Sequence, residues 1–384
     1  MKLMHLSDLH IGKRVNDCSM IEDQKFILEE ILKIVDAESP DAVAIAGDVY
    51  DKTVPSAEAV TLLDDFLFAL SGKGKPVFIV SGNHDSPERL SFGGRLINKS
   101  GVYISPVYSG ETAPITLEDE YGKVNFYLLP FIKPSAVKKF FPENEVESFT
   151  DAVALCIDKM NVDEKERNVI VAHQFVTGAV TCESEDISVG GADNVDASIF
   201  DIFDYVCLGH IHRPQPVGND RVRYSGTPLK YSFSEANDKK AALIVELKEK
   251  GNVSFKSVPL KPLRDMVEIR GRYEELTLRS YYENTTLQSD YLHITLTDEN
   301  DILNAMANLR VIYKNLLKLD YDNTRTRTAS MINGAEAVEQ KSPYMLFNEL
   351  FLKQNGAEMT EKQSAIVSDL IAKIWGGEDE TDLS

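Results

Sequence analysis

Five short polar clusters hold the residues of this chain best suited to chemistry: Asp8-Leu9-His10, Gly47-Asp48, Gly82-Asn83-His84-Asp85, Ala172-His173 and Gly209-His210-Ile211-His212. Five of the seven histidines fall in these clusters, and each cluster closes an apolar run. Core histidines placed at random would not sort in this way. His5 and His293 lie inside strand-like runs and read as structural. Asp8, His10, Asp48, Asn83, His173, His210 and His212 offer seven nitrogen and oxygen donors. That is too many for one closed zinc site and suits two divalent ions with open positions; the lack of thiolates in the clusters favours manganese or iron. Two ions about 3.5 to 4 Å apart stabilise both the attacking and the leaving oxygen of an in-line displacement, so phosphoester hydrolysis is the expected reaction. Singly, Gly47-Asp48 reads as a turn and Ala172-His173 as a core histidine. Gly209-His210-Ile211-His212 is stronger, because side chains at i and i+2 share one strand face. The ordered set of five carries the reading.

The clusters need strands to deliver them, and residues 2–6, 42–46, 77–80, 169–172 and 205–208 read as short apolar strands. Phe26, Ile27, Ile31, Ile34 and Val35 mark a helix entered through a Ser19–Glu22 capping box and ended before Pro40. Pro55-Ser56 opens a second helix, with Val60, Leu63, Leu67 and Leu70 on one side. This alternation predicts right-handed crossovers and layered α/β packing, a class that places ligands where its strands end. Further strands are expected at 102–104 and 124–129, a helix at 151–160, and a hairpin pairing 241–247 with 253–258. The loop 174–196 is long, glycine-bearing and acidic.

Three domains are expected: 1–260, 261–325 and 326–384, with the first boundary near Pro259 to Pro262. In the second, 291–297 reads as a strand, 302–309 as a helix and 311–319 as a strand. The third is a polar linker followed by helices at 343–354, behind Ser342, and at 361–375, behind a Thr360–Gln363 capping box. Ile366, Val367, Leu370, Ile371, Ile374 and Trp375 form an apolar stripe on the last helix, and the acidic residues 378–382 read as disordered. The formal charge of −20, from 61 acidic and 41 basic side chains, argues against a polyanionic partner unless bound cations invert the local sign. Cys18, Cys156, Cys182 and Cys207 form no Cys-x-x-Cys, the pattern of a reduced, cytoplasmic protein. No apolar run approaches the ~18 residues of a membrane span, and Met1 to His10 has no signal-peptide core.

In its order of clusters the chain resembles the calcineurin-like metallophosphoesterases. Residues 6–13, 47–51, Ser188-Val189-Gly190-Gly191 and 224–230 are similar to the branch of that family that forms nuclease subunits of DNA-processing complexes. The resemblance implies an α/β fold, a layered metallophosphoesterase β-sandwich flanked by helices. A smaller α+β domain that caps DNA would follow, then C-terminal helices that dock on an ATPase carrying a long coiled coil. It implies one metal on Asp8, His10 and His212, a second on Asn83, His173 and His210, and Asp48 bridging them. His84 is then the catalytic group that stabilises the transition state or protonates the leaving oxygen, oriented by Asp85. The implied activity is a manganese-dependent DNA nuclease, exonucleolytic on double strands and endonucleolytic on single strands or hairpins, in a homodimer within a heterotetramer. Lys13, Arg14, Arg89, Arg95, Arg213 and Lys230 lie near the clusters and could grip the DNA backbone. A phosphatase or small-molecule phosphodiesterase using the same metals, and a scaffold that chiefly holds its partner, are the competing readings.

Overall fold

Apolar runs with no polar face must be buried on both sides, and here they form the inner strands of two stacked sheets. The computed structural model describes residues 1–185, 193–327, 344, 347–348, 351–352 and 359–375. The first sheet contains β1 (Lys2–Leu6), β4 (Ala42–Ala46), β5 (Val77–Val80), β6 (Val102–Ile104), β13 (Ala241–Leu247) and β14 (Val253–Pro259), in the order β14-β13-β1-β4-β5-β6. The second contains β7 (Ile115–Asp119), β8 (Gly122–Leu129), β9 (Arg167–His173), β10 (Tyr205–Gly209), β11 (Gln215–Val217) and β12 (Asn219–Tyr224), in the order β11-β12-β10-β9-β8-β7. β1, β4, β5 and β6 run parallel, as do β8, β9, β10 and β12. A two-stranded ribbon, β2 (Arg14–Val15) with β3 (Cys18–Ser19), follows the first cluster.

Alternation along each strand divides the core into layers. Ala42, Ala44, Ala46, Phe78 and Val80 face Val169, Val171, Tyr205 and Cys207 between the sheets, where the rings of Phe78 and Phe126 stack 4.3 Å apart. Val43, Ile45, Val77 and Ile79 face the opposite way, toward α1 (Ile21–Glu38) and α2 (Ala57–Gly72). Ile170, Val206 and Leu208 pack against the helix Phe149–Lys159, capped reciprocally by Ser148 and Asp151. The result is the layered sandwich flanked by helices that the sequence implied.

Several local expectations are corrected. No capping box opens α1: Met20 is its N-cap without a side-chain bond, because Ser19 is held in the ribbon. Val60 on α2 is 45% exposed, whereas Ala59, Leu63, Phe66 and Leu70 make the buried face. Strand β7, which the sequence did not reveal, pairs antiparallel with β8. Val311 belongs to the helix Ala305–Ile312, where it is exposed, and the strand begins only at Leu316.

A three-stranded sheet follows the sandwich in the chain, β15 (Met266–Gly271), β16 (Tyr291–Leu296) and β17 (Leu316–Tyr321), with β16 in the middle. The chain divides into two compact units: Met1–Ile269 with Tyr282–Ile294 and Asn308–Lys318, and Arg270–Tyr281 with Thr295–Ala307 and the described residues from Leu319 onward. The helix Glu361–Trp375 in the second unit carries the expected Thr360–Gln363 reciprocal cap, with Ile366 and Leu370 exposed. The expected helix at 343–354, the Ser188–Gly191 motif and the acidic tail lie wholly or largely outside the described residues. No described helix is long and apolar enough to cross a membrane.

Candidate metal centre

All seven expected ligands meet beyond the carboxyl ends of inner strands from both sheets. Asp8 and His10 follow β1, Asp48 follows β4, and Asn83 follows β5; His173 ends β9, while His210 and His212 follow β10. All are buried except Asn83, which is half-buried. Backbone conformation sets the placement: Asp8, His10, Asp48 and His210 have φ of 52°, 44°, 46° and 108°, in a left-handed region where non-glycine residues are strained. Close packing also dictates two glycines. A Cβ on Gly82 would sit 2.0 Å from Asp48 Oδ1, and one on Gly209 would sit 1.7 Å from the Ala46 carbonyl oxygen.

Hydrogen bonds fix which imidazole nitrogens keep a lone pair. His173 Nδ1 donates to the Ala46 carbonyl at 2.9 Å, so its Nε2 faces Asn83 Oδ1 at 3.0 Å and Asp48 Oδ2 at 3.4 Å. The Ser184 hydroxyl donates to Glu235 and accepts from His212 Nδ1, each at 2.7 Å, which leaves His212 Nε2 facing His10 Nε2 at 3.1 Å. His10 Nδ1 and His210 Nε2 are buried without a hydrogen-bond partner. The nitrogens that converge are the opposite ones, His10 Nε2 on His212 Nε2 and His210 Nδ1 on Asn83 Oδ1 at 2.9 Å; such a cluster fits a cation, and a second group orienting each ligand is the usual support.

Charge leads to the same conclusion. Burial pushes the His212 ring down to about 3 and His210 to about 4, and holds His10 well below its ordinary value, so these rings are neutral, the form that ligates metal. Burial, aided by Asp48, raises Asp8 to about 8. Burial would also raise Asp48, but His173, His10 and His84 overcome it and hold that carboxyl low. His173 is raised to about 9: burial opposes its charge, and Asp48 and Asp8 prevail. Two buried carboxylates thus seek positive charge, and a proton on His173 is what they find without metal. The residues present fit divalent ions: Asp8–His10–His212, His10–Asp48–His84 and Asp8–Asp48–His173 each bring ligand atoms within 4.8 Å of one another.

His84 differs from the expectation in one respect. Its Nδ1 lies 3.0 Å from the carbonyl of Asp51, and this contact, rather than Asp85, orients the ring. Asp85 instead accepts from the backbone N–H groups of Gly82, Val49 and Tyr50, tying the loop after β5 to the loop after β4. His84 Nε2 comes 3.9 Å from Asp48 Oδ2, and the side chain is 18% exposed.

Sequence reasoning missed the support behind His212. Besides Ser184, it comprises Glu185, which accepts from the His212 amide at 2.6 Å, and Lys240, which bonds Glu235 at 2.5 Å and the His212 carbonyl at 2.9 Å. The signals were Thr227, quoted within a motif, whose hydroxyl reaches Glu235 at 3.3 Å, and the long loop 174–196, which holds Ser184 and Glu185. Gln24, also missed, holds the His10 carbonyl at 2.7 Å. Several of the basic residues have protein partners: Lys13 pairs with Asp51, Arg213 with Asp238, Lys230 with Asp265, and Arg89 bonds the Thr53 carbonyl. His5 is structural, held by Tyr205 Oη and the Leu208 carbonyl.

The family described as calcineurin-like phosphoesterase matches residues 1–214, and the one described as type 5 capsule protein repressor C-terminal domain matches 262–355. The D subunit of nuclease SbcCD from Staphylococcus epidermidis is 35% identical over 323 residues, 83% of this chain and 85% of its own length. Among solved structures, a dimetal phosphatase from Danio rerio matches 68% of this chain and 99% of its own at 12% identity and a TM-score of 0.39. The protein TT1561 of Thermus thermophilus covers 67% and 98% at 11% identity and a TM-score of 0.37, and neither likeness is strong enough to carry weight. The first family spans more than half of the chain and the Staphylococcus relative most of it, so this chain belongs to the calcineurin-like phosphoesterases, in the branch of the SbcD nuclease subunits.

Proposed function

We propose that this chain is a manganese-dependent DNA nuclease subunit, exonucleolytic on double-stranded DNA and endonucleolytic on single strands or hairpins. In this reading it works with an SbcC-type coiled-coil ATPase in DNA repair, recombination and replication. The observation that carries it is the convergence of seven nitrogen and oxygen donors, with His10 Nε2 3.1 Å from His212 Nε2 and both His173 and His210 turned to Asn83 Oδ1. Asp8, His10 and His212 would hold one ion, Asn83, His173 and His210 the other, and Asp48 would be shared between them. Bound there, two divalent ions supply positive charge at the phosphate and lower the pKa of a water. With Nδ1 held by the Asp51 carbonyl, His84 would turn a proton on Nε2 toward the leaving oxygen. Ser184 and Glu235 hold His212 in the tautomer that presents Nε2.

Residues 1–260 act as the nuclease domain, 261–325 cap the DNA, and 326–384 bind the ATPase, a role supported by the exposed Ile366 and Leu370. A homodimer within a heterotetramer is part of the same reading. The four free cysteines suit a reducing cytoplasm. The test is cleavage of double-stranded, single-stranded and hairpin DNA with Mn²⁺, with and without the ATPase. Faster turnover of a nitrophenyl phosphomonoester than of any DNA would favour a phosphatase instead.

A further inference from the structure

A cavity of about 570 Å³ opens beside the loop that carries His212, within the first unit. That volume lies in the range of about 300–1,000 Å³ typical of small-molecule sites. Pro214, Pro228, Leu229, Leu260 and Met266 give it stiff, apolar walls. Its charged lining reverses the sign of the chain as a whole: Lys230, Lys239, Lys240 and Arg264 against Asp238 and Asp265, in a protein of net charge −20. Lys230 is held by Asp265 at 2.9 Å and Arg264 by Asp23 at 2.7 Å, while Lys239 is exposed and has no ion pair among the described residues.

Lys240 links this cavity to the metal centre. Its side chain is 4% exposed, and two of its three ammonium hydrogens are taken by Glu235 and the His212 carbonyl. The third has no protein partner among the described residues, which leaves one donor of a buried cation over in a residue that lines the cavity. From Lys240 the contacts run through Glu235 and Ser184 to His212 Nδ1.

We infer that this cavity binds a small amphipathic anion, an apolar body bearing one carboxylate, sulfonate or phosphate monoester, and that its occupancy weakens metal binding at His212. The anion shares the Lys240 ammonium with Glu235, and Glu235 then holds Ser184 and the His212 tautomer less firmly. This coupling rests on the reading of His212 as a metal ligand; binding in the cavity does not.

The probe is 8-anilino-1-naphthalenesulfonate on the full chain. Two of the nine methionines, Met20 and Met266, line the cavity. In metal-free protein labelled with ¹³C at methionine methyls, the probe should shift those two resonances saturably, assigned through Met20→Leu and Met266→Leu, and leave the others in place. Ala241→Trp, which fills the cavity, should abolish the shifts and the saturable fluorescence. Absent shifts, shifts spread over all methionines, or a folded Ala241→Trp that binds like wild type would overturn the site; if that variant misfolds, the wild-type shifts decide alone. Saturating probe should weaken Mn²⁺ affinity, read from the electron paramagnetic signal of free Mn²⁺, by about tenfold, the lower end of what loss of an orienting partner costs. Unchanged affinity with the probe bound overturns the coupling. Neither readout uses DNA cleavage, so failure of the nuclease reading would be seen separately.

Discussion

Strand β9 buries an ionisable side chain at each end, Arg167 at its start and His173 at its finish, and the two surroundings are opposites. The charge of Arg167 is answered by its neighbours, although its Nε has no hydrogen bond: its terminal nitrogens bond Asp119 and the carbonyls of Gly122, Leu247 and Lys248, and the amino terminus also pairs with Asp119. His173 itself bonds the Ala46 carbonyl and faces Asp48, but around it the answers are incomplete. His10 and His210 keep unpartnered nitrogens, Asp8 is raised to about 8 by burial, and four residues hold a left-handed backbone. A fold can satisfy buried charge when charge serves only stability. Where it does not, the remaining partner comes from outside the chain.

The sharpest way to break that contrast is Asp48→Asn, which keeps the shape and removes the charge that two of the candidate clusters share. Hydrolysis of both DNA and bis-nitrophenyl phosphate should fall toward the uncatalysed rate, about 10⁶-fold or more, with Mn²⁺ binding lost in calorimetry. Retained metal and turnover would show that Asp48 bridges nothing. Next in size is His84→Gln. Turnover should drop by about 10²- to 10⁴-fold, as for loss of a general acid, while elemental analysis still finds both ions. Because His84 also lies within reach of His10 and Asp48, loss of an ion in this variant would make it a ligand and overturn its assigned role.

What the sequence revealed follows the same division. The inner strands were legible because burial on both faces leaves no polar position, and the ligands because polar side chains at the ends of such strands have no packing role. The partners of the ligands were not legible. Glu235 and Lys240 are five apart in an irregular stretch that has no period to read, and only folding brings them to Ser184 and His212. Asp85 misled for a related reason. It stands next to His84 in the chain, yet its carboxylate turns to backbone amides across the loop. Val311 and the Ser19–Glu22 pair fit strand and capping patterns in isolation, and the surrounding fold used them otherwise.

At the charge-paired end, Arg167→Met should cost about 3 kcal/mol of stability, as for one partner taken from a buried pair, read as a lower urea midpoint. Mn²⁺ affinity and turnover per folded molecule should not change. The linked pH effect has a definite sign. Burial would raise Asp119, but Arg167 and the amino terminus overcome it and hold that carboxyl below its ordinary value. Its contribution is therefore present above the unfolded pKa of about 3.9 and is lost as pH falls further, toward the folded value. Wild type should lose stability steeply below about pH 4, and Arg167→Met should do so less steeply. Equal slopes would mean that Arg167 is not what holds Asp119 ionised.

Ser184→Ala tests whether the two ends differ as sharply as they look, because Ser184 is a satisfied group that serves the unsatisfied site. Its hydroxyl accepts from His212 Nδ1 and donates to Glu235, so removal frees the ring to carry its proton on either nitrogen and leaves the Lys240–Glu235 pair one partner short. Mn²⁺ affinity should weaken by about 10- to 100-fold, with turnover at saturating metal restored to near the wild-type rate. A metal titration of diester hydrolysis separates these quantities. If affinity is unchanged, the tautomer of His212 is set by its own ion, and the support behind it serves packing alone, as Arg167 does.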